Sequence, residues 1–233
     1  MNHTKEFSKH SKSYDSHTIV QKQVASHLVS KIISRPKTIL DLGCGTGEVS
    51  RTISWKYDKL LGVDEAIGMC DKHPKSENIT ILHENFESDS FMQHVKSYEN
   101  FDIGISASAL QWSKDIENTL AFLRESTKEV ALAIFTDNTF ADIYSVTNLE
   151  SSLPNAHRLI EIVKKYFIMT YEIKTYKLLF EDNVSKFRYI KKSGTTGGVR
   201  RLGVVQMKNL IKNYPHDYLE FEVLFIWGNP IIV

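Results

Sequence analysis

The sequence is poor in cysteine. Its 233 residues include two, Cys44 and Cys70, with no CxxC pair and no metal-ligand spacing to the nine histidines. A disulfide framework and a metal site are therefore not expected, and both thiols read as reduced, as in the cytosol. No apolar run approaches the roughly 20 residues needed to span a bilayer. The N-terminal stretch is polar and basic without an apolar core, so no secretory signal is expected. Net charge is small as well, at +1, which makes no global case for nucleic acid or a membrane as partner. Repeats and low-complexity linkers are also lacking. The reading is one soluble, cytoplasmic, monomeric domain over 1–233, long enough to bury a sizeable core.

What is present is a rhythm. Val20, Val24, Leu28 and Ile32 recur every four positions, one stripe of an amphipathic helix over Thr18–Ile33. Arg35-Pro36 should stop it, because the residue before proline is pushed out of the helical region. Short apolar runs follow: Thr38–Leu42, Lys59–Asp64, Ile79–Leu82, Phe101–Ile105 and Glu129–Phe135. They alternate with polar segments, some so short that their crossovers must be loops or single turns. This pattern predicts an α/β fold: a Rossmann-like, doubly wound, mostly parallel sheet. Residues 141–168 read mainly as helix interrupted at Pro154, Thr175–Phe180 as a strand, and Asn183–Lys192 as a helix. The run Tyr218–Trp227 reads as a final, antiparallel strand near the sheet edge. The expected parts are an N-terminal helical lid (1–34), a cofactor-binding half (37–136) and a C-terminal substrate-side half carrying a helical insertion (137–233).

The first strand runs directly into Asp41-Leu42-Gly43-Cys44-Gly45-Thr46-Gly47. A glycine turn after the first strand of such a sheet is where nucleotide-like ligands bind. A dinucleotide loop needs G-x-G-x-x-G, and the third glycine is replaced by Glu48 in one register and Ser50 in the other. The Gly-Lys-Ser/Thr of a phosphate-binding loop is missing too. The spacing present, D-x-G-x-G-x-G, resembles the first motif of class I S-adenosylmethionine-dependent methyltransferases. That resemblance implies that Asp41, Gly43, Cys44, Gly45 and Gly47 hold the amino-acid end of S-adenosylmethionine. At the end of the second strand, Asp64-Glu65 can accept hydrogen bonds from ribose hydroxyls, where Asp64 alone would read as a strand-end cap. The third strand leads to Asn85-Phe86. The resembling enzymes usually carry aspartate at the first position, against the adenine amino group; here an asparagine carbonyl takes that role, and Phe86 packs on the ring. The fourth strand ends at Ser106 and continues to Gln111-Trp112. The Asn/Asp-Pro-Pro-aromatic motif of DNA amino-methyltransferases is absent there, which argues against base amines as acceptors. Trp112 reads either as a core aromatic or as a wall of the methyl-transfer site.

Residues 186–212 carry eight basic side chains and no Asp or Glu, which leaves 21 basic residues against 28 acidic ones elsewhere. The cluster includes Lys192, Arg200 and Arg201 around a glycine-punctuated loop. A solvated basic face, a nucleic-acid contact and an acidic protein or anionic small molecule are the competing readings, and scarce aromatics disfavour nucleic acid.

Several separated segments then converge. Phe7–Asp15 with Gln21, Ser108–Trp112, Lys191–Gly203 and the closing Phe221-Glu-Val-Leu-Phe together resemble the malonyl-acyl-carrier-protein O-methyltransferase family of biotin synthesis. Asn85 and the compact 51–100 region depart from the family pattern. The resemblance implies methyl transfer from S-adenosylmethionine to the free carboxylate of a malonyl thioester, with an acidic acyl carrier protein as partner. It puts Tyr14, Gln111 and Trp112 at the reacting end, and Lys192, Arg200 and Arg201 against the malonyl carboxylate or the carrier. A carboxylate is already an anion at neutral pH and needs no general base. The alternative is a small-molecule O-methyltransferase for another carboxylate, a phenol or a quinone. A non-catalytic cofactor-binding module stands behind both.

Overall fold

The computed structural model describes residues 19–193 and 203–232. The amphipathic stripe forms helix α1 (Ile19–Ser30), and all four stripe residues are buried. The helix stops at Ser30, before the Arg35-Pro36 punctuation, and Arg35 takes a left-handed conformation with φ 49°. The apolar runs become β1 (Thr38–Leu42), β2 (Lys59–Asp64), β3 (Ile79–His83), β4 (Ile103–Ala107) and β5 (Val130–Phe135). Between them lie α2 (Glu48–Thr52), α3 (Ile67–Cys70), α4 (Asp89–Lys96) and α5 (Ile116–Ser126). The first two are single turns, as the short connections require.

The C-terminal half differs from its sequence reading in where β6 begins. Residues 141–168 are two helices, α6 (Ala141–Thr147) and α7 (Ala156–Val163), and the next strand β6 already begins at Phe167 and runs to Leu179. The early half of β6 pairs with the last residues of the chain, Phe167 opposite Pro230. That partner is invisible to a local pattern. Helices α8 (Asn183–Ser193) and α9 (Val204–Asn213) precede β7 (Tyr218–Pro230). The strand order is β3-β2-β1-β4-β5-β7-β6, with β7 antiparallel to both neighbours. On this side the edge strand is β6; β7, one place in from the edge, alternates between buried and part-exposed residues up to Val223 and is buried continuously over Val223–Ile226.

Side chains alternate between the two faces of the sheet. Ile39, Ile103, Ile105 and Phe135 pack with α1 and α6 on one face. Leu40, Leu42, Leu61 and Val63 pack with α4, α5 and α7 on the other. Helix starts are capped by their own sequence: Ser88 accepts from Phe91 N–H, Asp115 from Asn118 N–H and Asn155 from Arg158 N–H. No helix among the described residues is long and apolar enough to cross a membrane.

Candidate functional site

The strand order reverses between β1 and β4. In an open α/β sheet, the crevice at the carboxyl ends of such a pair is where ligands bind. Here the two loops touch. A Cβ on Gly43 would lie 2.2 Å from the Ala109 Cβ, and Gly43 has φ 72°, so both space and backbone demand glycine. Gly43 and Cys44 donate their N–H groups to Val63 O, at 2.9 and 3.0 Å. Gly45 N–H donates to Asp64 Oδ2 at 2.9 Å, which ties the glycine loop to the end of β2. At the far end of the loop, Gly47 packs against the ring of His73, whose burial lowers its pKa.

These loops enclose a cleft, open to solvent at its mouth, at the carboxyl ends of β1, β2 and β4. Of the candidates named from the sequence, Gly43, Cys44, Gly45, Asp64, Glu65, Phe86 and Trp112 line it. Asp64 is half-buried, and its two oxygens accept from Gly45 and Ala66 N–H (2.8 Å for Ala66). Burial raises its pKa, opposed by those two bonds. Gly47 flanks the cleft as the residue before α2.

Asp41 sits beneath the loop with 0% exposure, and neither carboxylate oxygen has a hydrogen-bond partner. Burial, then the nearby charge of Asp64, pushes its pKa up to about 8. Asp41 does not itself line the cleft, and a buried, unpartnered acid is costly to hold ionised. Burial likewise raises the Cys44 thiol.

Other expected residues stand elsewhere. Ser106 is fully buried and donates its hydroxyl to Leu42 O at 2.8 Å, behind the cleft wall. Asn85 lies at the end of the β3 loop, its carbonyl accepting Glu87 N–H at 2.7 Å. Gln111 is buried beside Trp112 in a 3₁₀ turn (Leu110–Trp112) and donates to Ser108 O at 2.7 Å. Tyr14, Arg200 and Arg201 lie outside the described residues, as does the side chain of Lys192 at the end of α8. Within the basic segment, Lys186 is 1% exposed and donates to Asn183 Oδ1 (2.8 Å) and His216 O, so it fastens α8 to the chain before β7. Arg188, Lys208 and Lys212 are exposed.

Ala25 and Met69 also line the cleft without being singled out in the sequence, and Gln21 and Ser108 stand out there only through a resemblance. Gln21 and Ala25 are four apart on α1, next to its apolar stripe, and that spacing was the available signal. Ser108 has φ 66°, and its hydroxyl is buried without a partner. Nothing local marks that strain. Among the described residues, no cluster of three His, Cys, Asp or Glu side chains is placed to hold a metal.

Residues 39–130 match the family model described as a methyltransferase domain. The chain is 32% identical over 149 residues to a malonyl-[acyl-carrier protein] O-methyltransferase of Anoxybacillus flavithermus, covering 60% of this chain and 55% of that protein. It is 28% identical over 166 residues to the protein of the same description from Acetivibrio thermocellus, covering 69% of this chain and 56% of that one. The chain thus spans about half the length of the curated relatives it matches. Among solved structures, YcgJ of Bacillus subtilis aligns with a TM-score of 0.61 at 14% identity, covering 89% of this chain and 99% of that one. A SAM-dependent methyltransferase of Thermotoga maritima aligns with a TM-score of 0.57 at 14% identity, covering 97% and 99%. The architecture is that of the class I S-adenosylmethionine-dependent methyltransferases.

Proposed function

We propose that this chain, which carries a methyltransferase domain of class I architecture, transfers a methyl group from S-adenosylmethionine to the free carboxylate of a malonyl thioester on an acyl carrier protein. The observation that carries the cofactor reading is Asp41: a fully buried carboxylate without a partner, directly under a three-glycine loop. An α-ammonium group would complete it. Asp64 would hold the ribose hydroxyls with the lone pairs that Gly45 and Ala66 leave free, and Phe86 and Met69 would flank the adenine. When bound, S-adenosylmethionine supplies an electrophilic methyl group on a sulfonium.

The residues support an acceptor that is already an anion. Among the described residues lining the cleft, the ionisable ones are Cys44, Glu48, Asp64 and Glu65, all on the β1 and β2 side. None stands beside Ser108 and Trp112, on the β4 side where acceptor and methyl group would meet. A phenol would need a base there; a carboxylate does not. The work left to the chain is to orient the oxygen and strip its water, which the apolar wall of Ala107, Ala109 and Trp112 favours. Methylation then removes a charge that apolar sites of later enzymes would reject. The matched relatives carry the same description, which supports the malonyl-carrier choice. Tyr14 would close the site, and Arg200 or Arg201 would grip the carboxylate or carrier, arginine suiting bidentate contact.

The test is mass spectrometry of malonyl-loaded carrier protein after incubation with enzyme and S-adenosylmethionine. A gain of about 14 Da, one CH₂ arriving as an ester methyl in place of a carboxylate proton, is expected. No gain on malonyl carrier, with transfer to a phenol or another free acid, overturns the acceptor assignment.

A further inference from the structure

The cleft has two aromatic walls on different loops: Phe86 after β3 and Trp112 after β4. One side chain joins those loops. The Glu87 carboxylate accepts from Ser113 Oγ at 2.6 Å, Lys114 N–H at 2.9 Å and Asp115 N–H at 3.0 Å, all on Oε1. Oε2 also accepts from Lys114 N–H at 3.1 Å. These donors are the three residues that directly follow the Leu110–Trp112 turn and lead into α5. Glu87 itself directly follows Phe86, and its own N–H is held by Asn85 Oδ1 at 2.7 Å. Asn85, Phe86 and Glu87 thus form a braced corner, and the corner grips the chain immediately after Trp112.

The donors are also well chosen. Two are backbone N–H groups at the start of an 11-residue helix, where the helix field favours a negative charge. The third is a hydroxyl with a short bond, 2.6 Å, to a carboxylate oxygen. Neutral glutamine keeps one acceptor oxygen, of lower charge, for the three donors on Oε1, and its NH₂ replaces the Oε2 that Lys114 N–H also reaches, so the clamp is weakened.

We propose that Glu87 is a positioning residue for methyl transfer: it sets the distance between the Phe86 wall and the Trp112 wall, and so aligns the acceptor end of the cleft with the cofactor end. The proposal rests on the methyltransferase reading above. Glu87 does not line the cleft and touches neither reactant. Its loss should therefore change turnover more than cofactor affinity.

The experiment uses the full chain and S-adenosylhomocysteine as probe. Quenching of tryptophan emission on binding is assigned to Trp112 by its loss in Trp112→Phe. In Glu87→Gln and Ser113→Ala, S-adenosylhomocysteine should bind within threefold of wild type. The Trp112 quench should fall to less than half in Glu87→Gln and by a smaller amount in Ser113→Ala. At saturating cofactor, kcat on malonyl-carrier should drop at least tenfold in Glu87→Gln and less in Ser113→Ala, which deletes one of the three donors. A Glu87→Gln protein that keeps both quench and kcat overturns the clamp while leaving the methyltransferase reading intact. A parallel loss of cofactor affinity and kcat, with lowered Tm, overturns it too, since that is the mark of a purely structural bond. Wild-type protein that neither binds S-adenosylhomocysteine nor methylates overturns the underlying reading and the clamp together.

Discussion

Replacing Asp41 by asparagine separates what this acid does for the fold from what it does for the ligand. The side chain is fully buried, both oxygens lack partners, and its pKa stands near 8 against an ordinary 3.8. In the folded protein it keeps a proton that the unfolded chain has already released. Between about pH 4 and pH 8 unfolding therefore releases a proton, and stability falls as pH rises through that window. At about 1.4 kcal/mol per pH unit, the acid costs roughly 4 kcal/mol at pH 7 and between 5 and 6 kcal/mol above pH 8, where the effect levels off. Asparagine has nearly the same shape and no titration. Urea unfolding of both proteins without ligand, at pH 6, 7, 8 and 9, should show the variant more stable. Its advantage should grow by about 1.4 kcal/mol per pH unit up to pH 8 and then flatten. The same variant should bind S-adenosylmethionine about 10- to 150-fold more weakly, the worth of one hydrogen bond to a charged group. Calorimetry at pH 7 in buffers of different ionisation enthalpy should show wild type releasing close to one proton as the ligand binds. Parallel pH–stability curves for the two proteins would refute the reasoning, because they would mean that Asp41 does not carry the buried proton.

Other outcomes are expected. Gly43→Ala meets the Ala109 Cβ at 2.2 Å and a backbone φ of 72°. It should destabilise by about 2 kcal/mol or more and abolish cofactor binding, and adding Ala109→Gly should restore part of both, as read by Tm and titration. Reversing the exposed charges Arg188→Glu and Lys208→Glu should raise KM for malonyl-carrier about tenfold and leave cofactor affinity unchanged; equal losses would sink the docking role of that segment. Lys186→Glu should instead unfold or aggregate the protein, since it places an acid against the Asn183 and His216 oxygens in a buried site. Tyr14→Phe and Arg201→Ala should each cut turnover at least tenfold in a steady-state assay; full activity in both would remove them from the site.

Much of this protein could be read along the chain because the relevant physics is local. Five parallel strands announced themselves as short apolar runs, and the cofactor loop as a spacing of glycines whose φ values of 72°, 53° and 90° other side chains rarely adopt. The exclusion of a dinucleotide needed only Glu48 and Ser50. Reading along the chain failed where a partner lies far away in sequence. Phe167 and Ile168 look like a helix end, and 169–174 carry no local strand signal, because their pairing with the chain's last strand is absent from any window. Lys186 looked like part of a basic surface because burial is a property of the packed helices, not of the residue.

The site divides in the same way. Asp41, the glycines and Asp64 were identifiable as types at a spacing. Only the tertiary structure decided that Asp41 is sealed without a partner, that Ala109 presses on Gly43, that Ser106 faces the β1 backbone, and that Glu87 ties two loops together. The reason is physical. Backbone conformation and apolar periodicity are set over a few residues, whereas desolvation, charge proximity and the closing of a cleft arise only when distant strands and loops are brought side by side.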